Sequence, residues 1–194
     1  MTLRQICTGR FVVIALSLIN ALVVFVYILP FFREQGITRR IKKIDGRVYS
    51  EPVLPVKLPK SLSDFFSHAY AVNLQGRTVT DAILRDVVSF RDLRELYVGN
   101  TQIDDAKVGI IKAALHLQHL ELNDTKVTLA GLKELRSLSN LRSLDVRNID
   151  IDDSAIEGLQ ILTQLTQISI DNKRISKEGR RRIQMALPRC HIIQ

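Results

Sequence analysis

Two cysteines in 194 residues, Cys7 and Cys190, are too few for a disulfide framework and lack the close spacing of a metal site. Short catalytic signatures are also missing: the chain has no G-x-S-x-G, H-E-x-x-H, G-x-x-x-x-G-K or C-x-x-C. Its four histidines, His68, His116, His119 and His191, are scattered, and only His116 and His119 have helical spacing, across an expected helix-to-strand turn. Asp150, Asp152 and Asp153 form an acidic cluster, but no EF-hand-type loop follows, and helix capping accounts for two of the three. No catalysis, metal or cofactor is therefore expected. There are only five prolines, and three of them, Pro52, Pro55 and Pro59, fall within one short stretch.

The chain is basic, with a net charge of +8, but the charge is confined to its ends. Residues 33–60 carry eight Lys/Arg against three acids, and residues 172–194 carry seven against one. The body between 61 and 171 is acidic, with 11 basic and 16 acidic residues. A body that followed nucleic-acid phosphates would show the reverse, so no nucleic acid is expected as a partner.

The body repeats itself. Leu93, Leu96 and Val98 recur as Leu117, Leu120 and Leu122, as Leu141, Leu144 and Val146, and as Leu165, Ile168 and Ile170, each copy 24 residues after the last. A weaker first copy is visible in Ala69, Val72 and Leu74. Behind each copy comes a column of helix N-cap residues: Thr80, Asp104, Thr128, Asp152 and Ser176. Asp81, Asp105 and Asp153 follow it, where a helix's positive end favours a carboxylate. Apolar residues at three-residue spacing complete the unit, as in Val108, Ile111 and Ala114. One repeat is thus strand, turn and capped helix.

This pattern resembles leucine-rich repeats of the ribonuclease-inhibitor type, and in particular those of bacterial membrane-anchored proteins with repeats of the form L-x-x-L-x-L-x-x-T-x-V-T-D-x-G-L. Val127 and Thr128, followed by Ala130, Gly131 and Leu132, carry the likeness furthest. It implies an α/β solenoid of about five 24-residue strand-turn-helix repeats, with a parallel sheet on the concave face and helices on the convex side. It covers about residues 69–192 and is specific for fold, not for ligand. The loop position, usually Asn, Cys or Thr, is Thr101 and Thr125 in the middle copies but Arg77, Ile149 and Lys173 in the others. Charged residues there suit solvated ends, so copies one and five are expected to be atypical caps.

Four segments follow: a tail (1–10), a transmembrane anchor (11–32), a basic and Pro-rich segment (33–60) and the repeat domain with its caps (61–194). The anchor, Phe11 to Phe32, has no charge and is long enough to cross a bilayer as one helix. A cleaved signal peptide fits less well, because its apolar region is shorter and no small-x-small site is present. Six basic residues beyond the run against two before it favour the cytoplasmic side for the repeats of a single-pass membrane protein, whereas the resemblance to bacterial signal-anchored proteins implies the outer side, so both stay open. Cys7 lies near the membrane edge, where acylation is chemically open to it. Arg39, Arg40, Lys42 and Lys43 are expected to act as a topology signal, with contact to anionic lipid as the alternative reading. A helix ending at Gly46 and a short extended piece are expected next, then a stiff spacer that lifts the domain off the membrane. Leu62, Phe65, Phe66 and Tyr70 are assigned to the N-terminal cap, and Ser176 caps a last helix with Arg180, Arg181 and Arg182 outside.

The inward leucines leave the alternate strand positions on the concave face. The candidate protein-binding residues there are Asn73, Glu95, Tyr97, His119, Glu121, Asn123, Asp145, Arg147, Ser169 and Asp171. They make a polar, mostly acidic surface with one large aromatic, suited to a basic protein partner. Two other roles stay open: a substrate-recognition subunit of a larger enzyme complex, and a structural envelope protein.

Overall fold

The computed structural model describes residues 26, 29–52, 67–171 and 174–193. Seven strands form one sheet in chain order, β1 (Arg47–Pro52), β2 (Ser67–Asn73), β3 (Glu95–Tyr97), β4 (His119–Glu121), β5 (Ser143–Asp145), β6 (Gln167–Ser169) and β7 (His191–Ile193). All pairs are parallel except β1 with β2. Helix α1 (Leu29–Lys43) precedes the sheet. The helices of successive repeats are α2 (Asp81–Val88), α3 (Asp105–Ile111), α4 (Leu129–Glu134), α5 (Ile156–Gln160) and α6 (Lys177–Ala186).

The 24-residue period becomes an in-register stack: Val72, Leu96, Leu120, Leu144, Ile168 and Ile192 lie side by side across the parallel strands. These strand residues and the inward faces of the helices, such as Leu84, Val108, Leu132 and Leu159, share one buried core. Each repeat hides its apolar edge only against its neighbours, as a solenoid must. The caps follow the sequence: Thr80, Asp104, Thr128, Asp152 and Ser176 all accept a hydrogen bond from a backbone N–H within the next three residues. Asp105 does more than favour its own helix. Its carboxylate accepts from the N–H and hydroxyl of Thr128 at 2.8 and 2.7 Å, binding one repeat's cap to the next. Asp153 accepts from the N–H of Ser176 in the same way, at 2.9 Å, and hydrogen bonding from the Ser176 hydroxyl, followed by that N–H, holds its pKa below the ordinary aspartate value.

A second column went unread in the sequence. Gly76, Asn100, Asp124 and Asn148 all have positive φ. Glycine has no Cβ to clash there, and Asn and Asp tolerate the left-handed region better than other residues. The turn keeps the ladder intact, because the N–H groups of Gly76, Asn100 and Asp124 reach Gly99, Asn123 and Arg147 of the following repeat. At the loop position, the hydroxyls of buried Thr101 and Thr125 donate to the carbonyls of Val98 and Leu122, both at 2.6 Å.

The ends differ from expectation. Copies one and five are not terminal, since β1 lies outside the first and β7 outside the fifth. Nor is the described part of the basic and Pro-rich segment, 33–52, merely a tether outside the domain, while the spacer from Pro55 to Pro59 lies outside the described residues. Ile37 and Ile41 of α1 are buried in the repeat core, and Gly46 closes the helix against it. A Cβ on Gly46 would stand 2.7 Å from both Ile41 and Leu74. The expected end of the helix and the extended piece after it are both present, but they seal the solenoid. Arg77 belongs to this seal: its guanidinium donates to the carbonyl and carboxylate of Asp45, which explains a charged residue at that loop position. Pro52 ends β1 on the outer edge of the sheet, where no ladder partner needs its missing N–H. Of the residues assigned to the cap, Tyr70 lies in β2, while Leu62, Phe65 and Phe66 fall outside the described residues.

Among the described residues no helix is long and apolar enough to cross a membrane. The run starting at Phe11 lies outside them except for Val26 and its last four residues, which open α1 with Leu29 and Phe32 exposed at 55% and 62%.

Candidate functional site

The strand register puts two columns of side chains on the face of the sheet turned away from the core, the face expected to be concave. One runs Ala71, Glu95, His119, Ser143, Gln167, and the other Asn73, Tyr97, Glu121, Asp145, Ser169. Within β3 and β4 the central leucine is buried and the residues on either side are half-buried, as alternation requires. Ala71, paired with Glu95 and with Tyr49 of β1, is buried.

The residues of β3 and β4 make one connected patch. The Tyr97 hydroxyl donates to Glu95 at 2.7 Å, and its ring lies 5.1 Å from that of His119, tilted by 44°. His119 Nε2 is 3.4 Å from Glu121 Oε1, and the other Glu121 oxygen accepts from Gln75 at 2.7 Å. Burial, followed by the hydrogen bond to Glu95 and the charges of Glu95 and Glu121, pushes the Tyr97 pKa far above the usual tyrosine value. The phenol is therefore a neutral donor at any physiological pH.

Beyond this patch the face is less open than its composition suggests. Asp145, expected as an accessible acid, is only 5% exposed. Arg147 folds onto it, donating from its backbone N–H and its Nε at 3.0 Å and from Nη2 as well. Ser169 is 8% exposed. Asn73 turns its side-chain oxygen to the Gln75 N–H, and Asn123 donates to Asp124. Asp171 is half-buried beyond β6. The accessible acids in the middle of the face are thus Glu95 and Glu121, and Gln75 joins them although its residue type gave it no prominence.

Other candidates resolve into local pairs. His116 is exposed in the turn before β4, whereas His119 faces Tyr97 and Glu121. Asp150 pairs with Arg174, Asp152 accepts from the N–H and hydroxyl of Ser154, and Asp153 binds Ser176. Arg40, expected to meet lipid, instead forms a two-point ion pair with Asp86 of α2, at 2.6 and 2.8 Å, while Arg39, Lys42 and Lys43 remain exposed. The run at the far end is also divided: Arg180 is half-buried and donates to the Ile175 carbonyl, Arg181 pairs with Glu178, and Arg182 is exposed. Long guanidinium arms find acids or carbonyls of neighbouring turns that linear spacing does not reveal.

No family model and no curated protein matches the chain. Solved structures similar to it include an internalin of Listeria monocytogenes, 22% identical over 57% of this chain with a TM-score of 0.47. A leucine-rich-repeat protein of Leptospira interrogans is 24% identical over 57% of the chain, with a TM-score of 0.42. This chain covers 31% and 27% of those two. Actin-binding site 2 of leiomodin-1 is 18% identical over 61% of this chain and 79% of its own, with a TM-score of 0.48. Likenesses of this degree carry over no ligand or activity, and the assignment of fold rests on the period and the strand register. On those grounds the chain folds as a solenoid of the leucine-rich-repeat type.

Proposed function

We propose that this chain is a membrane-tethered, non-catalytic interaction module that takes a protein partner on its concave face. The observation that carries this is the β3–β4 patch, where Tyr97, Glu95, His119, Glu121 and Gln75 stand together on a rigid parallel sheet. A held aromatic ringed by polar groups is the usual make-up of an interface hot spot. The two accessible carboxylates favour a partner presenting Lys or Arg. The tether rests on the apolar run from Phe11 to Phe32, and its supports in the structure are the exposed Leu29 and Phe32 where that run enters α1. The excess of Lys/Arg after the run puts the repeats in the cytoplasm as a single-pass protein. Such tethering confines the face to the membrane surface and raises its effective concentration for neighbours there.

The test is recovery of partners by the full chain from detergent extracts, wild type against Tyr97→Ala combined with Glu121→Lys. Loss of a partner in the variant supports recognition by this patch. A partner that is an enzyme would make the chain its substrate-recognition subunit, and no partner in either case would favour an envelope role. A C-terminal alkaline phosphatase fusion tests the orientation, since activity there would place the repeats outside.

A further inference from the structure

The start of α1 and the first repeat enclose a cavity of about 500 Å³ that the binding patch does not use. Its walls divide by chemistry. Val26, Leu29 and Pro30 make an apolar side continuous with the hydrophobic run, and Arg33 and Arg91 bring two guanidinium groups to the same space. Glu34 also lines it, but its carboxylate is committed to the backbone N–H groups of Ala69 and Arg91. The volume falls within the range of small-molecule sites. An apolar wall beside two exposed cations fits an amphiphile with an anionic head, and guanidinium groups match phosphate oxygens in geometry.

We propose that Arg33 and Arg91 hold the phosphate of an anionic phospholipid whose acyl chains lie along Val26, Leu29 and Pro30. The inference rests on the membrane tether, which brings this cavity to the bilayer surface. It differs from diffuse attraction by the exposed Arg39, Lys42 and Lys43, because Arg91 belongs to the repeat body and has no part in a juxtamembrane charge cluster. One bound lipid would also fix the angle at which the first repeat meets the membrane.

Native mass spectrometry of the full chain, extracted in mild detergent from membranes containing phosphatidylglycerol, reads the site directly. The expected result is one retained phosphatidylglycerol per chain. Arg91→Gln should lower its occupancy about tenfold or more, as loss of a charged hydrogen-bonding partner does. Arg91→Lys should keep an intermediate share, and Lys43→Gln should change nothing. Retention unchanged in Arg91→Gln, or a retained mass equal to bare phosphate, overturns the proposal. Carbonate extraction of the same membranes separates the two readings: release of the chain removes the tether and the lipid site together, whereas a chain that stays bound without Arg91-dependent lipid removes the site alone.

Discussion

Replacing Thr125 with valine keeps the shape of the side chain and deletes one hydroxyl. That hydroxyl is buried and donates to the Leu122 carbonyl at 2.6 Å, at the tight turn that leads out of β4. The carbonyl then loses this donor in a place where water has little access. An abandoned buried polar group costs about 1–3 kcal/mol, and the added methyl group offsets only part of this. For a domain of this size the loss corresponds to a fall in Tm of roughly 2–4 °C per kcal/mol. Urea titration followed by circular dichroism should show a lower midpoint with an unchanged slope, the sign of lost stability without a change in the unfolded chain. Thr101→Val should behave alike, because its hydroxyl meets Val98 at the same distance. Ile149 sets the counter-case, since the fourth repeat places a hydrocarbon in this column and buries it. An unchanged midpoint for Thr125→Val would mean that every repeat tolerates what the fourth does, and that the hydroxyl column contributes nothing.

Ile41→Ala, at a fully buried position of α1, should cost about 2–5 kcal/mol, and hydrogen exchange should show the loss concentrated in β1 and β2. A chain beginning at residue 61 should aggregate or melt earlier than one beginning at Leu29, because it uncovers Val72 and Leu74; equal stability would return α1 to the role of a simple tether. Asp105→Ala removes both bonds to Thr128 and should lower stability by about 0.5–2 kcal/mol, in the range of a lost helix cap. The depressed pKa of Asp153 means that its contribution is present above the ordinary aspartate range and lost as pH falls through its folded value. Exchange of the Ser176 amide should therefore accelerate in acid, and Asp153→Asn should flatten that dependence.

The repeat body was legible because its signals are local and periodic. One period fixes the leucine column, the cap column and the register together, and a slip of one residue would turn Leu96 and Leu120 out to solvent. The concave columns followed from alternation alone. What stayed hidden was set by contacts with no period. Arg147 covers Asp145, and Arg40 reaches Asp86 across 46 residues, so composition overstated both the acidity of the face and the basic charge offered to lipid. The share of α1 in the seal stayed hidden because Ile37 and Ile41 sit among Arg39, Arg40, Lys42 and Lys43 and read as a charged linker. Their burial depends on a repeat core that lies far along the chain. The left-handed column was readable in principle, as Gly76, Asn100, Asp124 and Asn148 keep the period, but these polar residues resemble ordinary turns.

The antiparallel pairing of β1 with β2 has a mechanical side. A pull entering the chain at Leu29 does not reach the repeats through slack polypeptide; it meets α1 first, wedged by Ile37 and Ile41 and pinned to α2 by the Arg40–Asp86 fork. Only after that wedge gives way can the load pass to β1. Tension between the N-terminal segment and anything held on the inner arc thus passes through the seal before it reaches the parallel ladder behind it.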